Sequence, residues 1–488
     1  MTLSDRIPVL VGVGVATQRE DDFRQALDPM ALMLWAVQAA GRDTGRAAAL
    51  RGVQWIAVSR GRWAYTNPSG AIARAIGANE ATTVLTSVGV LQQTLIGAAC
   101  ARIAHGTAHT TLVAGSDAGY RLLRAQLAGE EMEEHSEQGA PDEFWAPENE
   151  LRHPVELRAG LQMPVGLYAI MDSARRHAKG WTVAQHRQQL AERYAEFSRI
   201  AAANPHAWSR RELQPKDIRD ASERNPMQAF PYTRAHCSSW NVDQSSALLF
   251  CSELRASELG IPRSRWVYPL ASTESNHMLP VSARAQLHAC AGARIAGQAA
   301  LDGAGLGAED VDLVDLYSCF PIAVESYAEA LGLSPGRPLT LTGGMSFAGG
   351  PYNNYELQAT ARAAELLREG RGRTALVSCV SGVLTKQGFG LWGREVPRNG
   401  FVYADVSDEV ASRTEVREVL DSYSGPARVA GHTVLHGRGK PPRGVLLVDT
   451  PAGQRAMATT EDPGWIARLQ EEDDVGRDVQ VAGHEVMP

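Results

Sequence analysis

Two stretches of this chain, ACARIAHGTAHTTLVAGSDAG at Ala99–Gly119 and ATARAAELLREGRGRTALVSCVSGV at Ala359–Val383, run through the same order of elements. Each has an alanine-rich helical pattern, a glycine stop and a short apolar strand ending in small residues. Counted from Gly106 and Gly370, Leu112 matches Leu376 and Val113 matches Val377. A helix with one apolar stripe followed by a strand apolar on both faces needs cover on each side, which a layered sheet supplies. The echo itself has two readings: a duplicated α/β unit, or the likeness that any helix–glycine–strand connection has.

The rest of the chain fits the same scheme. Strand patterns at Pro8–Gly12, Val53–Val58, Thr110–Ala114, Ala247–Cys251, Val311–Leu316 and Thr374–Cys379 alternate with helical periodicity at Leu91–His105, Ala283–Gly303, Pro321–Leu331 and Asn354–Glu369. This alternation predicts a mainly parallel, layered α/β fold. A chain of 488 residues exceeds one ordinary core, so two or three domains are expected. The periodicity breaks at the acidic, breaker-rich Ala128–Pro154, read as a solvated loop, and strongly helical runs follow; residues 122–232 read as a mostly helical insertion. Beyond Arg398 the runs ARVAGHTVLH, GVLLVDT, QRAMATT and GRDVQVAG, with turns at Gly437–Gly444 and Pro451–Gly453, predict a small, separate β domain.

A net charge of -7 and a pI near 6.0 argue against nucleic acid or an anionic membrane as partner. No run approaches the ~18 apolar residues of a membrane span. The apolar Ile7–Ala16 follows Asp5 and Arg6 and contains Pro8, which reads as a buried strand rather than a leader. Six cysteines without C-x-x-C pairing read as reduced thiols, so a cytoplasmic protein is expected. Gly12-Val13-Gly14 lacks the third glycine and the acidic partner of a dinucleotide fingerprint. His105 and His109 are separated by a helix-ending glycine, so no metal site is read there.

GGMSFAGGPYNNYELQ, Gly343–Gln358, places four glycines in its first eight residues. Such density serves either a turn that side chains forbid or the close approach of a ligand to the backbone. This segment, the run IGAACARIAHGTAHTTLVAGSDA and the corner VDLVDLYSCFPIAVESYAEALGL occur in the order and spacing of thiolases. The chain resembles the thiolase superfamily (acetyl-CoA acetyltransferase-like), and within it the branch called thiolase-like protein type 1, which carries an additional C-terminal domain. The likeness covers essentially the whole chain. It implies a duplicated five-layer α/β fold of two βαβαβαββ halves. These would be residues 1–264, including a helical loop domain at about 122–232, and residues 265–397, with a small β-barrel-like domain at 398–488.

The resemblance also implies an acyltransferase that takes acyl-CoA as substrate, makes or breaks a carbon–carbon bond next to the thioester and serves lipid metabolism. It would hold no covalently bound cofactor and act as a monomer or homodimer. In thiolases a cysteine accepts the acyl group and a histidine of a G-H-P motif activates it. An asparagine of an N-E-A-F motif positions an oxyanion-hole water, and a second cysteine moves the proton. Here the first cysteine falls on Gly89, the histidine on Gly350 and the asparagine on Tyr317; the second cysteine is kept as Cys379. With nucleophile and imidazole replaced, two alternatives stand beside the acyltransferase: a retro-aldolase on 3-hydroxyacyl-CoA using tyrosine as acid/base, and a non-catalytic CoA-binding protein.

Candidate catalytic groups are therefore Cys319, Cys379, Tyr317, Tyr352 and His277, with Tyr355 beside them. Cys319 stands where a strand enters a helix, whose dipole would lower a thiol pKa; otherwise it is a small buried residue under Phe320. The tyrosines are proton donors or packing residues with satisfied hydroxyls. His277 is a surrogate base or a loop cap. For CoA, the resemblance points to Met163, Tyr168 and Ser272, with the pantetheine running toward Gly343, Gly344, Gly349 and Gly350. Arg175, Arg176 and Arg187 either meet its phosphates or line a solvated helix face.

Overall fold

The computed structural model describes residues 3–46, 48–132, 139–148 and 151–487; residues 133–138 and 149–150 of the acidic stretch lie outside them. The first half runs β1 (Pro8–Gln18), α1 (Pro29–Asp43), α2 (Ala48–Arg51), β2 (Trp55–Ser59), α3 (Pro68–Ile76), β3 (Thr82–Thr86), α4 (Gln92–Ala104) and β4 (Thr110–Ala118). The insertion then adds α5 (Gly119–Ala128), β5 (Glu143–Trp145), α6 (Pro154–Arg158), α7 (Pro164–Ala178), α8 (Val183–Ala203), α9 (Pro215–Arg219), β6 (Met227–Ala229) and β7 (Tyr232–Thr233). The chain returns through β8 (Asp243–Ser252) and α10 (Glu253–Glu258). The second half comprises β9 (Tyr268–Ser275), α11 (Ala291–Ala304), β10 (Leu313–Asp315), α12 (Pro321–Ala330), α13 (Gly344–Phe347), α14 (Tyr355–Arg368), β11 (Thr374–Ser381) and β12 (Lys386–Gly393).

The first sheet has the order β1-β8-β4-β2-β3-β5. In the second, β9-β12-β11-β10 repeats the pairings of β1-β8-β4-β2: antiparallel, antiparallel, then parallel. The echo around Gly106 and Gly370 is thus a structural duplication, and both glycines take the left-handed conformation, at φ 75° and 72°, that stops a helix. Both sheets are mixed: among the described residues, three of the five pairings in the first and two of the four in the second are parallel. The connection from β11 to β12 is only residues 382–385, which suits a hairpin and is far too short for the crossover that parallel pairing requires.

Five layers result. α1 and α3 cover the outer face of the first sheet, α4 and α14 lie between the sheets, and α11, with α12 beside it, covers the second. Close packing explains Gly12 and Gly14 on β1: a Cβ there would lie 2.3 Å from the Ala40 carbonyl oxygen and 2.0 Å from that of Ala36, both on α1. α11 begins at Ala291 rather than Ala283. Residues 281–283 form a single 3-10 turn, and Arg284 pairs with Val416 while its guanidinium donates to the carbonyls of Leu279 and Val383.

After the second half, β13 (Val402–Asp405) lies parallel to β9 as the last strand of the second sheet. Beyond α15 (Ser407–Ser412), the strands β14 (Gly425–Leu435), β15 (Arg443–Asp449), β16 (Arg455–Thr460), β17 (Asp478–Ala482) and β18 (Glu485–Val486) close into a five-stranded barrel, with α16 (Pro463–Glu471) packed on it. The barrel sits on α7: the His432 amide donates to Ser173 Oγ (2.8 Å), and buried Arg176 pairs with Asp473 (2.9 Å). At the other end of the molecule β5 pairs with β3, and Asp142 accepts from both the amide and the hydroxyl of Thr83. Among the described residues, no helix is long and apolar enough to cross a membrane.

Candidate functional site

The two central helices begin at one place, and the candidate site is built around it. The glycine-rich segment is anchored first. Asp315, at the end of β10, has no solvent exposure. Its Oδ2 accepts from Thr340 Oγ1 (2.9 Å), Thr342 Oγ1 (3.1 Å) and the amides of Leu341 (2.7 Å) and Thr342 (3.0 Å). Its Oδ1 accepts from the Tyr355 hydroxyl (2.9 Å). Thr340 Oγ1 in turn accepts from the amides of Gly343 and Gly344, both at 3.0 Å.

Gly343 and Gly344 hold φ of 101° and 74°, which disfavours side chains at both. The space beside them is also taken by α8: a Cβ on Gly343 would lie 2.4 Å from Ala201 Cβ, and one on Gly344 2.6 Å from Phe197. On Gly349 it would meet Gln244 Oε1 at 2.1 Å, and on Gly350 Ser238 Oγ at 2.0 Å. These glycines therefore stand against neighbouring protein, with the Ser238 hydroxyl in the space a side chain at position 350 would enter.

Beyond the Asp315 knot, the Tyr317 amide donates to Ser378 Oγ (2.9 Å), and its ring meets Tyr355 edge-on at 5.6 Å. The Tyr317 hydroxyl has no hydrogen-bond partner among the described residues, whereas that of Tyr355 is held by Asp315 and Thr342. Around Tyr317 stand Cys379, Cys319, Glu356 and Tyr355, and burial holds its phenol well above the usual range, hence neutral. Cys319 faces the Tyr168 hydroxyl, and the Tyr168 ring lies 4.4 Å from Phe320. The expected lowering of the Cys319 pKa is not found. Burial pushes the thiol up to about 12 and outweighs the adjoining helix start, so Cys319 is a neutral thiol.

The start of α4 has no side-chain cap of its own. The second half supplies groups to it instead. Cys379, 1% exposed, lies with its sulfur against the amides of Gln92 and Gln93, and burial raises its pKa well above the ordinary value. Gln92 Oε1 accepts from the Glu356 amide (2.7 Å), and Gln93 Nε2 donates to Ser272 Oγ (2.7 Å). Glu274 accepts from Thr94 and from the Tyr403 hydroxyl (3.0 Å). Lys386, almost fully buried, donates to the Gly89 carbonyl (2.6 Å).

Glu356 and Lys386 escaped the reading of the sequence. Glu356 follows Tyr355 in the first turn of α14, where an acidic residue ordinarily serves the helix dipole, so no local signal sets it apart. Here its carboxyl has zero exposure, and neither oxygen has a hydrogen-bond partner at bonding geometry. Its neighbours are the Cys379 thiol and the Gln93 amide, and burial lifts its pKa to about 8.

The structure thus brings Tyr317, Cys319, Cys379 and Tyr168 together, with Ser272 beside them under α4. The other candidates lie apart. Tyr352 sits at φ 46° with its ring 5.8 Å from the Arg62 guanidinium, and His277 neighbours Arg284, where burial and that charge lower its pKa. Met163 is half exposed at the start of α7. Arg175 faces Glu325 and Glu329, Arg176 faces Asp473, and Arg187 donates to the Arg219 carbonyl. Two cavities, of about 310 and 730 Å³, lie elsewhere: one along α7 and α8 near His186, the other beside Gln54 and His109.

Comparison with known proteins places this geometry. Residues 405–485 match the family model of the thiolase-like protein type 1 additional C-terminal domain. A monomeric SCP2-thiolase-like protein type 1 from Mycobacterium smegmatis is similar over 99% of this chain and 98% of its own, at 27% identity and TM-score 0.82. The Ltp2-ChsH2(DUF35) aldolase shares the fold over 81% of this chain and 100% of its own (19% identity, TM-score 0.61). An acetyl-CoA acetyltransferase from Syntrophomonas wolfei does so over 80% and 100% (16% identity, TM-score 0.56). No curated protein matches the sequence.

Proposed function

From a chain that has the thiolase-like type 1 architecture with its additional C-terminal domain, we propose an enzyme that binds an acyl-CoA and breaks or makes the carbon–carbon bond next to the thioester. The observation that carries this reading is the neutral Tyr317 phenol, two residues beyond β10, with Cys319 and Cys379 among its neighbours and no hydrogen-bond partner for its hydroxyl among the described residues. A neutral phenol there donates a hydrogen bond to an oxygen that carries negative charge in the reaction, the thioester oxygen of the enolate or the 3-alkoxide from which the carbonyl forms.

Within that reading, retro-aldol cleavage of a 3-hydroxyacyl-CoA suits the residues better than acyl transfer through an enzyme thioester. The nucleophile position is Gly89, Cys319 and Cys379 are neutral thiols, and position 350 carries no imidazole. In the cleavage a base takes the 3-hydroxyl proton, the C2–C3 electron pair moves onto the thioester as an enolate, and C2 then gains a proton. The products are a shorter acyl-CoA and an aldehyde or ketone. That the fold also carries an aldolase is consistent with this.

The test is incubation with panels of 3-hydroxyacyl-CoA and 3-ketoacyl-CoA, with CoA products followed by mass spectrometry. Turnover of the hydroxy series, lost in Tyr317→Phe, is expected. Turnover of the keto series with free CoA would favour acyl transfer. Tight CoA binding with neither activity would favour a binding protein.

A further inference from the structure

Glu356 has a structural explanation available: a carboxyl at the start of α4 complements the helix dipole. That explanation leaves its bonding unaccounted for. A carboxyl placed as a cap accepts from the free amides at bonding geometry, as the part-buried Asp28 does from the Ala31 amide (2.7 Å) at the start of α1. Glu356 has two buried, unbonded oxygens instead. It lies against the thiol of Cys379, whose sulfur is itself directed at the Gln92 and Gln93 amides.

We infer that Glu356 and Cys379 form a two-member proton relay for C2 of a bound thioester, with Glu356 as the group that stores the proton. The inference rests on the acyl-CoA reading above and adds a residue to it. In enolisation, the C2–H bond breaks and its electron pair remains on the thioester as the enolate. The proton passes to the Cys379 sulfur as the thiol proton passes to the Glu356 carboxylate. In the cleavage direction the steps reverse: the thiol protonates C2, and the carboxylic acid restores the thiol. No oxidant or further reactant is consumed.

The surroundings supply the reason a relay is needed. Cys379 and Tyr317 are both held neutral by burial, so neither is a base near neutral pH. Glu356 is faced by Cys379 from β11, by Glu274 from β9, by Tyr317 beyond β10 and by the Gln93 amide from α4. Lys386 on β12 acts on Glu274 and Cys379. In this set Glu356 is the group lifted by burial to about 8, close to the pH at which an enzyme works.

The test is deuterium incorporation at C2 of propionyl-CoA in heavy water, read by mass spectrometry, with calorimetric binding of the same ligand in parallel. Exchange by the unaltered protein is expected to rise with pH through about 8. Glu356→Gln is expected to lower it about 100-fold or more with binding retained, and Glu356→Asp to keep part of the rate. Exchange by Glu356→Gln at the original rate and pH profile would overturn the relay, as would binding without exchange in the unaltered protein. Absence of binding would sink the acyl-CoA reading instead. Infrared difference spectra of the ligand-free protein probe the stored proton directly. A protonated-carboxyl band lost as pH rises through about 8 is expected. Its absence, or its persistence in Glu356→Gln, would overturn the assignment, and Glu356→Asp carries the exchange test should the glutamine variant not fold.

Discussion

Asp315 and Glu356 are both carboxyl groups of the second half with zero exposure, yet they stand in opposite states. Asp315 gathers five donors and fixes the path of Thr340–Gly344, against which Tyr355 is also oriented. Glu356 gathers none at bonding geometry. Burial raises the pKa of both; the donors around Asp315 work against it, and at Glu356 the opposing groups are the Cys379 thiol and the Gln93 amide alone. A buried carboxyl wrapped in donors holds a structure together; one left bare is a destabilising feature whose persistence calls for a use.

The contrast can be broken in four ways. The largest expected effect is on the pH dependence of stability. Glu356 titrates at about 8 in the folded chain against 4.5 for the unperturbed group, so the folded state holds the extra proton between those values. Stability is then full below pH 4.5 and falls as pH rises to about 8, by on the order of 5 kcal/mol. Glu356→Gln removes that slope, so it should be more stable than the original protein above pH 8 and equal near 4.5. Urea unfolding at both ends checks this, and a loss of stability at high pH would contradict it. Next, Asp315→Ala strands three hydroxyls and two amides and should cost about 3–5 kcal/mol at neutral pH, read by the same unfolding curves. A cost under about 1 kcal/mol would deny it the anchoring role.

The paired tyrosines differ in the same way. Tyr355→Phe, losing bonds to Asp315 and Thr342, should cost about 1–2 kcal/mol. Tyr317→Phe should change stability by no more than about 0.5 kcal/mol, having no bond to lose, while lowering C–C cleavage about 100-fold. Equal stability losses in the two variants would show that the Tyr317 hydroxyl is structural.

Much of the architecture was legible because alternation of short apolar runs and 3.6-residue periodicity is a consequence of layers that both kinds of element share. The duplication was legible in the glycines that end α4 and α14. β12 was not among the strand patterns: KQGFGLWG has three glycines, which weaken a strand signal, yet at Gly388 and Gly390 the Gln93 side chain leaves a Cβ only 2.6 and 2.9 Å. At the site, Tyr317, Cys319 and Cys379 were reachable from their places at strand ends. Glu356 was hidden because its meaning lies in the hydrogen bonds its carboxyl lacks and in neighbours far off in the chain, its amide bonding Gln92 across 264 residues, and neither leaves a trace in local pattern.

The three residues of β5, together with Asp142, have a consequence for behaviour in dilute and crowded solution. An outer sheet strand ordinarily offers a row of unpaired amides and carbonyls to any other chain. β3 has that row occupied from within its own chain, by Glu143–Trp145 and by the Asp142–Thr83 bonds. The occupant is tethered, so its local concentration does not change when the protein is diluted, and a competing strand must displace it before it can add to the sheet. Addition of another chain directly to β3 is thereby disfavoured, and the outer strand that remains is β5, only three residues long.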